Sequence, residues 1–386
     1  MSCAQASQAQ GGAGRSLQTL LVGDDPRTAL ISDAALSSLE AIFAIQISSL
    51  PVASATPALS GSYQGVRPTY SLGPIFMDRA VLSGRHSLNF FASTQHASWI
   101  SLDSVSLGSG DLQHRAPSFG TRPSVESHVA IQLSSDTVAI GASYGISENF
   151  ELSAIVPLQR VCVSGDKTVQ LGGVSQTSIH AEGCTASAGD AQVRIKYSHP
   201  VRGWFLGGSG TLFIPSGNIH NLSGRGLTQG ALAFLASHPH QPAHPNATSL
   251  LNPHLNIGGT VGGHGVGFAT SNAFSTPSYI LESTSPSQSF DYAIGNDFVF
   301  RFRNTISAEL RGQLLEHSIT FSPFDALNGA SLESTPQRWQ QRHLVAMGLK
   351  HLFGKATTLM FYGGRQLTDS GLKTNLMLGF GVDRRF

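Results

Sequence analysis

The chain has 386 residues, with 24 Lys and Arg against 23 Asp and Glu, a net charge of +1. Charged residues are 12% of it, about half of the roughly 25% usual in soluble globular domains, while glycine is abundant at 42. No basic stripe suits a nucleic acid, and no run of roughly 18 apolar residues suits a transmembrane helix. A membrane β-barrel remains compatible, because each of its strands needs only about 9–11 alternating residues.

The first residues, MSCAQASQAQGGAGRSLQTLLVGDD, do not read as a secretory signal. Their apolar part is short and the first positive charge, Arg15, comes late. An exported barrel is expected to have such a signal, either upstream or already removed. Residues 1–28 read as a flexible N-terminal segment. Cys3 lacks the apolar run of a lipoprotein signal and reads as incidental.

ALISDAALSSLEAIFAIQISSL (29–50) reads as an amphipathic helix. Asp33 is the candidate N-cap, and Leu36, Leu39, Ile42, Phe43 and Ile47 recur at helical spacing ahead of Pro51. Such a helix packs against its own domain, or acts as a periplasmic lid or barrel plug. With an extended lead-in it fills 29–84.

From residue 86 the period becomes two. HSLNFFASTQHASWI is a strand, and VESHVAIQL with TVAIGASYGI forms a long second one. The apolar parity of that second strand shifts near Ser134–Asp136, which suggests a bulge or bend. After the turn SEN, FELSAIVPL puts Phe150, Leu152, Ala154, Val156 and Leu158 opposite Glu151 and Ser153. AQVRIKY alternates likewise, with Arg194 and Lys196 on its polar face, and WFLGGSGTLFIP follows. FDYAIGNDFVFRF sets Asp291, Asp297, Arg301 and Arg303 opposite a row of aromatics, and TISAELRGQLL sets Glu309 and Arg311 opposite leucines. HLVAMGLKHLF, ATTLMFYGGRQ and LKTNLMLGFGVDRRF complete the series.

Alternation alone suits a soluble sandwich and a barrel equally. Three features favour the barrel. Strands run to the last residue, charges fall on one face, and short turns alternate with long segments at 101–124, 164–188, 215–250 and 321–341. The expected fold is all-β: an antiparallel up-and-down transmembrane barrel over 85–386, with about twelve strands. The strands expected are 86–100, 125–146, 150–163, 189–198, 203–214, 252–262, 265–274, 288–303, 305–319, 342–352, 356–366 and 374–386.

Cys162 and Cys184 bracket residues 163–183, so in an oxidising compartment they read as a disulfide closing an external loop. HPHQPAHPN contains His238, His240 and His244, but its prolines keep it extended and no carboxylate or cysteine completes a metal site. Ser318 and His317 are adjacent in a strand and so face opposite ways, which excludes a Ser–His pair. GGTVGGHGVG lacks the Lys-Ser/Thr and helix of a phosphate loop. No enzyme, cofactor or metal site is expected. The candidate functional residues are the lumen-facing charges Glu151, Arg194, Lys196, Asp291, Asp297, Arg301, Arg303, Glu309 and Arg311. They either form ion pairs that fill the lumen, with Asp297, Arg301, Glu309 and Arg311 meeting across one hairpin, or shape a solute path.

YGISENFELSAIVPL, GDAQVRIKY, LFIPSGN, the stretch 71–103, FDYAIGNDFVF and DSGLKTNLMLGFGVDRRF together resemble outer-membrane barrels of the "meta-pathway of phenol degradation" family. That family is similar to long-chain fatty-acid transporters. The resemblance spans about residues 40–386 and implies a bacterial outer-membrane barrel that passes small hydrophobic or aromatic compounds. It also implies the lipid bilayer and the outer-membrane assembly machinery as partners, with Phe386 as the assembly signal. The alternative is a plugged barrel acting structurally through its external loops.

Overall fold

The computed structural model describes residues 8–24, 28–30, 33–53, 71–110, 112–116, 118, 123–239, 248–249, 251–262, 268–269, 279–283, 288–300, 303–316, 320–325, 330–331, 339–354 and 356–386. Twelve antiparallel strands close into a barrel: β1 (Leu88–Leu102), β2 (Val125–Gly145), β3 (Phe150–Leu171), β4 (Ala191–Val201), β5 (Trp204–Ile214) and β6 (Gln229–Ser237). The others are β7 (Pro253–Gly262), β8 (Gln288–Phe300), β9 (Asn304–Glu316), β10 (Trp339–Phe353), β11 (Thr357–Gln366) and β12 (Leu372–Arg385). Neighbours in sequence are neighbours in space, and β12 pairs with β1 to close the ring. Closure leaves no barrel edge with unpaired backbone groups, a condition that lipid imposes on any spanning sheet.

The count of twelve agrees with the sequence reading, but one strand differs. The barrel uses Gln229–Ser237, which the sequence reading leaves inside a long connection. The expected strand 265–274 has only Phe268–Ala269 in extended pairing among its described residues, in a small separate sheet with Tyr279–Ser283, Thr320–Asp325 and Ala330–Ser331. The reason is compositional. Strand β6 shows no polar face, because Ala231, Ala233 and Leu235 alternate with Leu232, Phe234 and Ala236.

The parity shift in β2 is not a bulge. All 21 residues of β2 pair with β3 without a register break. Near the short turns, the outward residues Val138, Ile140 and Tyr144 are apolar and exposed. Toward the long connections, the inward residues Val129, Ile131 and Leu133 are apolar and buried. The apolar face therefore changes sides where the strand leaves an external belt and begins to cover an internal core. The belt is continued by Phe90, Leu152, Val156, Ile195, Phe234, Ile294, Leu349, Phe361 and Leu378, all exposed. The register irregularity lies instead in β1, between Ser98 and Ser101.

That internal core is built by two helices. Helix α2 (Asp33–Ser48) begins at the expected N-cap residue, and Leu36, Leu39, Ile42, Phe43 and Ile47 are all buried. Helix α1 (Ala13–Leu21) forms where the sequence reading drew no element, and it buries Leu17, Leu20 and Leu21. Both pack against Trp99, Leu102, Ile131, Val161 and Val163 in one cluster. Neither helix is long and apolar enough to cross a membrane.

Residues 164–188, expected as a loop, form a β-hairpin that extends β3. It turns at Gly172–Gly173, both at positive φ, and returns as Val174–Ala188. Cys162 and Cys184 face each other across it and are disulfide-bonded. Alkylating the denatured, unreduced protein is therefore expected to modify one cysteine, Cys3, and all three after reduction. Losing the bridge is expected to lower stability by up to about 3 kcal/mol, measurable as an earlier thermal transition.

Candidate functional site

At the short-turn end the lumen is filled by residues 71–83, an extended segment that runs through the barrel before β1. Backbone groups placed there need hydrogen-bond partners, and the inward side chains of the strands supply them. Glu309 on β9 accepts from three successive amides, those of Ile75, Phe76 and Met77, the last at 3.1 Å. Lys350 on β10 donates to the carbonyls of Pro74 (2.6 Å) and Leu72 (3.4 Å). Thr305 accepts from the Leu72 amide at 3.0 Å, and Ser237 from the Ala80 amide at 3.0 Å. Arg79 donates to the Ser71 carbonyl at 2.8 Å.

The charged side chains of the segment and the wall are paired in the same way. Asp78 is ion-paired with Arg194 and lies 3.7 Å from the Lys196 ammonium. Lys196 also lies 3.8 Å from Glu151, whose other oxygen accepts from the amide and hydroxyl of Ser83. Asp297 accepts from the Ser71 hydroxyl (2.5 Å), lies 2.7 Å from the Ser307 hydroxyl, and meets His254 at 2.9 Å. The other ring nitrogen of His254 is 2.9 Å from the Ser237 hydroxyl. Ser237, His254 and Asp297 thus form a Ser–His–Asp chain, but all three are essentially sealed. The Ser237 hydroxyl is already engaged by the Ala80 amide, so this chain fixes a segment rather than activating a nucleophile.

Of the lumen-facing candidates, Glu151, Arg194, Lys196, Asp297 and Glu309 meet around residues 71–83, and Asp291 and Arg311 line a cavity above them. Arg303 sits exposed in the β8–β9 turn, and Arg301 lies outside the described residues. Among the described residues, no ion pair joins Asp297, Glu309 and Arg311 across the β8–β9 hairpin. Glu309 is used on the inserted backbone instead, and Asp297 on the side chains of Ser71, Ser307 and His254. The sequence reading missed Lys350, although the parity of HLVAMGLKHLF alone places it on the inward face. Asp78, Arg79 and His254 gave no signal, because they act through a segment and a strand with no amphipathic period.

The cavity has a volume of about 510 Å³ and lies between residues 76–78 below and the end of α2 above. Its apolar lining includes Ile42, Leu50, Val52, Phe76 and Ile155. Arg194, Arg225, Arg311, Arg342, Asp78 and Asp291 supply its charges. Asp291 accepts from Ser289 (2.8 Å), Gln313 (2.8 Å) and Thr260 (3.3 Å). Arg225, in the β5–β6 connection, donates to Gln229 and to the Ser48 carbonyl and lies over the Phe213 ring at 4.6 Å. Burial lowers its pKa below the usual guanidinium value, and Asp190 and Asp291 counteract this from a distance. Arg342 donates to Ser49 (3.2 Å) and the Leu372 carbonyl (3.4 Å).

On the outer face of the same wall lies a depression of about 670 Å³, lined by Leu152, Ile195, Leu212 and Val261. Thr211, Ala231, Gly259, Thr260 and Ser289 border both spaces. The barrier there consists of paired backbone with small side chains, Gly210, Gly230 and Gly259 among them.

No family model matches the chain, so the family resemblance drawn over residues 40–386 finds no support there, and no curated protein matches it either. Among solved structures it is similar to an outer-membrane channel from Pseudomonas putida F1. Identity is 14%, the match covers 78% of this chain and 96% of that one, and the TM-score is 0.46. It is also similar to the CymD monoaromatic hydrocarbon channel, at 8% identity, 86% and 97% coverage and a TM-score of 0.37. The toluene transporter TbuX of Ralstonia pickettii gives 10%, 87%, 99% and 0.36. At these scores the overlap is loose.

Replacing Glu309 with Ala removes the carboxylate that accepts from three successive amides, at about 1–3 kcal/mol for each bond lost. The expected outcome is at least about ten-fold faster amide exchange at Ile75–Met77, with the barrel strands unchanged, measured by hydrogen–deuterium exchange.

Proposed function

We propose that this chain is a bacterial outer-membrane β-barrel that passively transports small hydrophobic or aromatic compounds. The observation that carries this reading is the cavity of about 510 Å³ inside the barrel, with an apolar lining that includes Ile42, Leu50, Val52, Phe76 and Ile155, and bordered by a wall of small residues. Its size falls in the range of roughly 300–1,000 Å³ occupied by small organic ligands. The apolar belt outside matches the lipid-facing band of such barrels. A solute held in the cavity is separated from the outer depression by one layer of glycine-rich backbone, which gives a hydrophobic compound a short route between lumen and lipid.

The proposed partners are the lipid bilayer, the solutes and the assembly machinery of that membrane. Phe386, exposed and stacked edge-on against Phe90 at 5.8 Å, is the residue proposed to be read during assembly. Deleting it is expected to reduce the yield of folded barrel in membranes, scored by heat-modifiable migration; unchanged yield would count against this role.

The transport reading is tested in bacteria with and without the chain, by the uptake rate of a labelled alkylbenzene. Faster uptake is expected with the chain. The Ala231→Trp variant, which puts an indole between cavity and depression, is expected to bring the rate back to background while the barrel still folds. Equal rates with and without the chain would sink the reading.

A further inference from the structure

We infer that the cavity selects amphiphilic organic anions, namely aryl or short-chain carboxylates, over neutral compounds of the same shape. This deepens the transport reading and rests on the same cavity. Among the described residues, four guanidiniums line it, from Arg194, Arg225, Arg311 and Arg342, against the two carboxylates of Asp78 and Asp291, a formal excess of two positive charges. Of the four, one is neutralised by contact: Arg194 is ion-paired with Asp78. Arg225 and Arg342 donate to uncharged groups near the end of α2. Among the described residues, neither they nor Arg311 has a carboxylate within ion-pair distance.

Arg311 is the most telling. It is half-buried, projects from the lumen face of β9, and makes no hydrogen bond to any described residue. Asp78 and Glu309 act on it electrostatically, but Asp78 is held by Arg194 and Glu309 by three backbone amides. A half-buried guanidinium with no hydrogen bond to the described wall keeps its five donors open to the cavity, and these suit a carboxylate in a bidentate fork. The apolar lining, Ile42, Leu50, Val52, Phe76 and Ile155, suits a hydrocarbon body. An anionic head with an apolar body satisfies both kinds of lining at once. A plain hydrocarbon would leave the guanidinium unpartnered.

The test uses the full chain purified in detergent and two probes of one skeleton, 4-propylbenzoate and 4-propylbenzamide, with affinities measured by equilibrium dialysis. The acid is expected to bind about ten-fold more tightly than the amide, the size of one charge-assisted hydrogen bond. Arg311→Gln is expected to lower the affinity for the acid to that for the amide, and Arg311→Lys to retain most of the preference. Rising ionic strength is expected to reduce the preference as well. Equal binding of the two probes, a preference that survives in Arg311→Gln, or binding of neither would overturn the inference. The alkylbenzene uptake assay separates the two readings. Uptake without anion preference leaves transport standing and removes this inference. Anion binding without uptake does the reverse.

Discussion

The structure depends on one carboxylate more than on any other group. Glu309, buried in the wall, collects the amides of Ile75, Phe76 and Met77. An extended chain has no hydrogen-bond partners of its own, so it can enter a lumen only if the wall supplies acceptors and donors in register. Glu309 supplies the acceptors, and Lys350 answers with a donor for the carbonyls of Leu72 and Pro74. Around this clamp, Asp297, Glu151, Arg194 and Lys196 fix the two ends of the segment. Charges that in an open pore would face water are here saturated by inserted backbone and by Asp78.

The filled lumen also explains the two-sided distribution of apolar residues. A barrel in lipid needs an apolar exterior over one band and places no such demand beyond it. Strands β2 and β3 continue past that band. There the inner face becomes apolar, because α1 and α2 pack against Ile131, Leu133, Val161 and Val163. The same backbone, with unbroken register, therefore serves lipid on one side and a helical core on the other. The inner core and the outer belt are joined end to end along each strand.

Between the clamped segment and the helices the packing stops short, and the cavity is what remains. Its composition follows from its neighbours. Its apolar lining comes from α2, from Leu50 and Val52 just after it, from Phe76 of the inserted segment and from strand residues such as Ile155. Its charged groups come from the strands, from the β5–β6 connection and, with Asp78, from the inserted segment. The cations are not distributed as a matched ladder, and this excess gives the cavity a chemical preference that volume alone would not. The part of the wall around Ala231 and Gly259, which borders the outer depression, adjoins the same space.

The sequence by itself determined the barrel. Period-two alternation, scarce charge and short turns fix strand identity and the direction of most side chains, because neighbouring strand residues must face opposite ways. It also determined the α2 face and the partnership of Cys162 with Cys184. It did not reveal β6, whose two faces are both apolar, nor the meaning of the parity shift near Ser134, which reads the same for a bulge as for a change of environment. Tertiary structure alone decided what the inward charges do. Glu309, Asp297 and Arg311 share one face in the sequence, yet the first two are held by the inserted segment and its neighbours, and Arg311 is left facing the cavity. Alternation states which side of a wall a residue occupies. What meets it there depends on a segment more than 200 residues away in the chain, and no local pattern encodes that contact.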